Sequence, residues 1–228
     1  MEIKMLEVRS DRGVTRPVLV RDGGAALLAD TGYPLTAEAV LSAMRDAGCD
    51  PETLTVIALT HQDIDHVGCA KDILARCPGA AILCHEAEAP YIRGDRTPVK
   101  YESLPEDHEF RLAYARRVLP SVRTVRDGER LPFPSEIVAV HTPGHTPGHI
   151  CLYIPEARAL IAGDALNVDG GALTGPNPVY TKDMLEAYRS LEKIRALAIA
   201  RVYTYHGGVF EGDVAGALGR LIAAAPGR

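Results

Sequence analysis

The apolar run from Thr55 to Leu59, which reads as a buried strand, passes directly into Thr60-His61-Gln62-Asp63-Ile64-Asp65-His66-Val67-Gly68. Four side chains able to bind a cation, His61, Asp63, Asp65 and His66, thus crowd onto the end of one strand. A loop leaving a strand aims alternate side chains to one side, and a turn at its end brings His66 in from the other, a geometry that suits two adjacent ions. Imidazole nitrogen mixed with carboxylate oxygen suits zinc, iron or manganese, in contrast to a thiolate or all-oxygen set. The competing reading is a solvated loop in which Asp63 or Asp65 caps the following helix.

Three further strand ends carry the same kinds of side chain. His141-Thr142-Pro143-Gly144-His145-Thr146-Pro147-Gly148-His149 follows a strand expected at Ile137 to Val140. Its Pro-Gly pairs fix tight turns that hold a side chain rigidly, although spacing alone gives His141, His145 and His149 equal claims. Gly163-Asp164 follows a strand expected at Leu160 to Ala162, and Tyr205-His206-Gly207-Gly208 follows one at Val202 to Thr204. Each is weak alone; the repeated placement at strand ends gives them weight.

The remaining pattern alternates strand and helix. Val18 to Val20 and Ala25 to Leu28 flank a hairpin signal at Arg21-Asp22-Gly23-Gly24, and helical spacing runs from Thr36 to Gly48 and from Cys69 to Arg76. Strands are expected at Ala81 to Cys84 and Ile150 to Ile154, and helices at Thr181 to Leu197 and Val214 to Ala224. Charged helical pieces broken by Gly94, Pro98 and Pro105 read as a helical insertion at about 86–122, inside a single domain spanning 1–228. Tyr91, Tyr101, Tyr114 and Tyr180 are candidates either for a pocket or for packing.

With 46% apolar and 24% charged residues, a disordered class is excluded, and a net charge of -5 offers nothing to nucleic acid or an anionic membrane. The five cysteines form no Cys-x-x-Cys pair and are expected reduced and mostly buried. No leader or membrane-spanning run is legible, so a cytoplasmic protein is expected. Its partner is expected to be a small-molecule substrate, and a homodimer is the assembly considered.

The order of these motifs, from Asp30-Thr31-Gly32 through Thr60 to Gly68, Thr142 to Gly148, Gly163-Asp164 and Tyr205-His206-Gly207, resembles the metallo-β-lactamase superfamily over most of the chain. The resemblance implies an α/β fold, a four-layer αββα sandwich with the metals at one edge of its two sheets. It further implies two divalent ions, zinc first, with iron or manganese as alternatives. His61, Asp63 and His145 would hold one, Asp65, His66 and His206 the other, and Asp164 would bridge them; His145 is singled out because it alone lies within Thr-Pro-Gly-His-Thr-Pro-Gly. Asp63 departs from the family, which usually has His there, and tilts the first position toward iron or manganese, or leaves it weak enough for one ion to suffice.

The chemistry expected is metal-assisted hydrolysis of a small ester, lactone or thioester, with Asp65 as the catalytic residue that orients water and relays its proton. Val67-Gly68-Cys69 lacks the Gly-Gly of glyoxalase II, which disfavours a glutathione thioester. The runner-up is an iron-dependent redox enzyme, flavodiiron-like or a sulfur dioxygenase, because flavodiiron members carry a carboxylate where Asp63 stands. A phosphodiesterase and a non-catalytic binding module complete the alternatives.

Overall fold

A computed structural model describes residues 1–225. The chain opens with β1 (Glu2–Met5), a small hairpin of β2 (Val8–Ser10) and β3 (Gly13–Thr15), and a longer hairpin of β4 (Val18–Asp22) and β5 (Ala25–Ala29). Helix α1 (Ala37–Asp46) leads to β6 (Leu54–Ala58), the short helices α2 (Ile64–Val67) and α3 (Ala70–Arg76), and β7 (Ala81–His85). Helices α4 (Ala89–Ile92) and α5 (Glu109–Ala115) flank a 3-10 turn at Val99–Tyr101 and precede β8 (Arg123–Val125). Then come β9 (Val138–His141), β10 (Ile150–Ile154), β11 (Ala159–Ile161), the hairpin β12 (Asn167–Asp169) and β13 (Ala172–Thr174), and α6 (Met184–Arg195). Strands β14 (Arg201–Thr204) and β15 (Gly208–Glu211) and helix α7 (Val214–Ala223) complete the described chain.

Two sheets carry most of these strands, in the orders β1-β4-β5-β6-β7-β8 and β15-β14-β11-β10-β9. Strands β5 to β8 run parallel, as do β11 and β14, while the remaining neighbours in both sheets are antiparallel. Because successive side chains on a strand face opposite ways, each strand contributes to two layers. Val18, Val20, Leu27 and Ala29 meet Ala139, Ile150, Leu152 and Ile161 between the sheets. Leu19, Ala26 and Leu28 face outward onto Val40, Leu41 and Met44 of α1 and Ile73 of α3. On the far side, Val140, Cys151, Leu160 and Val202 pack against Leu191 and Ile194 of α6 and Leu218 and Ile222 of α7. Helices, sheet, sheet, helices: this is the αββα sandwich expected, and each wholly buried leucine in it contributes about 2 kcal/mol of transfer free energy.

Differences from the sequence reading have local causes. Helix α6 begins at Met184 rather than Thr181 because the Asp183 carboxylate accepts from the Glu186 N–H at 2.9 Å and so fixes the N-cap there. Helical structure after β6 starts earlier, at Ile64. Strands β8 and β15 were not anticipated, since half or more of their residues are exposed and leave no apolar run. All five cysteines are free and buried. Among the described residues no helix is long and apolar enough to cross a membrane.

Candidate metal centre

The ends of β5, β6, β11 and β14 and the turn between β9 and β10 lie together at one edge of the sandwich. Ile150 donates its N–H to the Thr60 carbonyl at 3.0 Å, stitching the first sheet to the second beside the centre. Asp63 occupies the N-cap of α2 but makes no side-chain cap hydrogen bond, so the capping alternative fails: its carboxylate turns toward His61 Nε2 at 3.1 Å and His145 Nε2 at 3.0 Å. Asp65 and His66 sit on the first turn of α2. His145 is carried on a turn whose Gly144 adopts φ +130°, where a Cβ would stand 2.2 Å from the Ala187 nitrogen at the start of α6. The Gly144 carbonyl in turn accepts from the Asp183 N–H at 2.9 Å, which locks that turn to the helix.

The seven residues singled out by sequence converge as two sets, His61, Asp63, His145 and Asp164 in one and Asp65, His66 and His206 in the other. Asp164 faces both: Oδ2 lies 3.4 Å from His145 Nε2, while Oδ1 lies 3.3 Å from His66 Nε2 and 3.4 Å from His206 Nε2. Asp65 Oδ2 is 3.2 Å from His206 Nε2. Donor atoms on a tetrahedron about an ion at about 2.05 Å stand about 3.3 Å apart, so the second set has the spacing such an ion requires. His66 Nε2 and Asp164 Oδ1 are moreover buried without a hydrogen-bond partner, a state that costs free energy unless a cation is bound there.

Residues not singled out as ligands fix the donors in place. The Asp30 carboxylate accepts from Thr60 N–H and Thr60 Oγ1, both at 2.8 Å, and from His66 Nδ1 at 2.9 Å, which turns His66 Nε2 toward the centre. Because the Thr60 hydroxyl proton goes to Asp30, its oxygen accepts from His61 Nδ1 at 3.0 Å, and Nε2 of His61 also points its lone pair inward. His149 is not among the converging donors: its Nε2 accepts from the Asp164 N–H at 3.1 Å and its Nδ1 donates to Thr142 Oγ1 at 2.8 Å. His141 instead stacks on His85, with ring centroids 4.0 Å apart, away from the centre. The Tyr205 hydroxyl donates to the Asp65 carbonyl at 2.6 Å while its ring lies against His66. Asp30, Thr60 and Tyr205 all lie within the motifs that carry the resemblance, but nothing in those motifs told that they support the donors.

Charge follows the same division. Burial and then the His66 charge push His61 down to about 4. Burial opposes ionisation of Asp63 and Asp164, yet His61 beside the one and His66 and His206 beside the other hold both well below the usual carboxylate range. Burial also opposes a charge on His206, but the Asp164 and Asp65 carboxylates beside it push it up to about 9.

Asp63, Asp65, Asp164 and His206 line a cavity of about 1180 Å³, whose walls include Lys100, Tyr101, Phe110, Arg116, Asn177 and Tyr180. Of the four tyrosines considered, Tyr101 and Tyr180 thus face the cavity, whereas Tyr91 and Tyr114 are buried.

An αββα sandwich that gathers histidines and carboxylates beside a cavity defines a protein of the metal-binding class. A family model for the metallo-β-lactamase superfamily matches residues 11–206, and the chain belongs to that superfamily. It is 29% identical over 204 residues to the probable metallo-hydrolase YflN of Bacillus subtilis, covering 79% of this chain and 75% of that protein. It is 33% identical over 179 residues to a hydroxyacylglutathione hydrolase of Synechococcus, covering 75% of this chain and 58% of that one. The chain spans from 52% to 75% of the length of these and other curated relatives it matches. Among solved structures, the metallo-β-lactamase family protein TTHA1429 of Thermus thermophilus superposes with a TM-score of 0.77 at 25% identity, over 97% of this chain and 78% of that one.

Proposed function

We propose that the protein is a metal-dependent hydrolase acting on a small carboxylic ester, lactone or thioester, with zinc as its metal and iron or manganese as substitutes that the carboxylate-rich donor set also accepts. The observation that carries this reading is the pair of unpartnered buried atoms, His66 Nε2 and Asp164 Oδ1, in a cluster whose Asp65, Asp164 and His206 line a cavity large enough for such a substrate. A divalent ion bound by these residues supplies polarisation of a carbonyl oxygen and lowers the pKa of water. Asp65 is the group positioned to take the proton: its backbone is pinned by Tyr205, and its Oδ2 lies 3.2 Å from His206 Nε2. Tyr101 and Phe110 would exclude water around the acyl group, and Arg116 favours a substrate with an anionic substituent.

Kinship with a hydroxyacylglutathione hydrolase supports keeping thioesters beside esters and lactones, although Cys69 stands where the sequence reading looks for a second glycine. The test is elemental analysis of the purified protein coupled to a panel of lactones, aryl esters, thioesters, β-lactams and phosphodiesters. Turnover of a carboxylic ester or thioester, lost together with metal in His66→Ala and Asp164→Ala, is the expected result. Turnover confined to phosphodiesters, or undiminished hydrolysis in those variants, overturns it.

A further inference from the structure

Resting on the reading of the centre as a metal site, we propose that the Lys100 ammonium takes the place of one of the two ions, so that the protein binds a single divalent cation at Asp65, His66, Asp164 and His206. Lys100 sits on the 3-10 turn at Val99–Tyr101, and that turn is anchored to the donor loop because the Gln62 side-chain carbonyl accepts from the Val99 N–H at 2.9 Å. From there the side chain reaches into the first set, donating to Asp63 Oδ2 and to His145 Nε2, the latter at 3.1 Å. The ammonium also lies 5.5 Å from the centroid of the Tyr180 ring, on a cavity wall.

The proton inventory explains why a cation belongs there. His61 gives its Nδ1 proton to Thr60, and His145 Nε2 accepts from the Lys100 ammonium while its Nδ1 faces Thr181 Oγ1 at 3.3 Å, so both rings present Nε2 lone pairs beside the Asp63 carboxylate. Two ring lone pairs, each within 3.1 Å of the Asp63 carboxylate oxygen, repel it unless a positive group lies among them. Lys100 is that group, whereas in the second set His66 Nε2 and Asp164 Oδ1 remain without a hydrogen-bond partner. An ion entering the first set would have to expel a like charge from hydrogen bonds it already makes. The carboxylate at Asp63 and the lysine at Lys100 are therefore a matched pair, and the ammonium stands beside the remaining ion as a fixed positive charge facing the cavity.

The experiment loads metal-free protein with Mn²⁺ or Zn²⁺, removes excess ion, and measures ions per chain together with the electron paramagnetic resonance of the Mn²⁺ form. Wild type and Lys100→Arg are expected to hold about one ion per chain and to give the spectrum of an isolated Mn²⁺, whereas Lys100→Met holds about two that couple magnetically. Lys100→Gln serves the same purpose should the methionine variant fold poorly, circular dichroism reporting on both. Two ions in the wild type, or one in both neutral variants, overturns the inference while leaving hydrolysis intact. Absence of any bound ion overturns both, and a single ion without turnover on the substrate panel refutes the hydrolase alone.

Discussion

Asp30 shows how one residue can be committed to a centre it does not line. It adopts φ +61°, a left-handed conformation that costs most side chains free energy and that Asp and Asn tolerate best. That backbone aims its carboxylate at Thr60 and His66. Asp30→Asn keeps the conformation and loses the charge, so the protein should fold while its metal affinity drops about 10- to 100-fold, as titration against a competing chelator would show. His206 makes a second prediction at this scale. Its pKa in the metal-free protein is raised to about 9, so below that pH an incoming ion must displace a proton. Affinity should therefore rise with pH up to about 9, by about tenfold per unit for each proton released, and calorimetry in buffers of different ionisation enthalpy would detect that release. Affinity that is flat across neutral pH would contradict the assignment.

Between the elements, Glu88 at the start of α4 joins what the chain keeps apart. Its buried carboxylate accepts from Gln62 Nε2 and Thr146 Oγ1 at 2.8 Å and from the Gly148 N–H at 2.6 Å, tying the loop after β6 to the turn before β10. Burial raises its pKa against the effect of those hydrogen bonds. Glu88→Ala would strand three donors and should cost at least about 3 kcal/mol in denaturant unfolding. Glu88→Gln should cost less, because one amide oxygen still serves Thr146 and Gly148; equal losses would show that volume rather than hydrogen bonding matters. Most elements were legible from periodicity: β4 to β7 and α1 through their apolar alternation and spacing, α7 through its stripe ending near Ala223. The three-residue strands β8, β12 and β13 were not, since so short an edge strand holds its place by backbone pairing with a neighbour that sequence does not name.

Across the whole molecule, the layer between the sheets is what holds the donor loops in register. Leu152 is fully buried there against side chains from both sheets, and Leu152→Ala should cost about 3 kcal/mol while leaving a single unfolding transition. Two separated transitions by calorimetry would show that the sheets do not share one core. By itself the sequence determined the alternation of strand and helix and the kinds of donor gathered at strand ends, because apolar runs and Pro-Gly turns are written in neighbouring residues; the sandwich followed from the resemblance that the order of those motifs carries. It also marked His61, Asp63, Asp65, His66, His145, Asp164 and His206. Only the tertiary structure decided which atoms face one another, that Asp164 turns one oxygen to each set, that His149 supports Asp164 rather than joining the donors, and that Lys100 reaches Asp63. The physical reason is separation along the chain: positions 30, 61–66, 100, 145, 164 and 206 meet only once two sheets have packed, and no local pattern encodes that meeting.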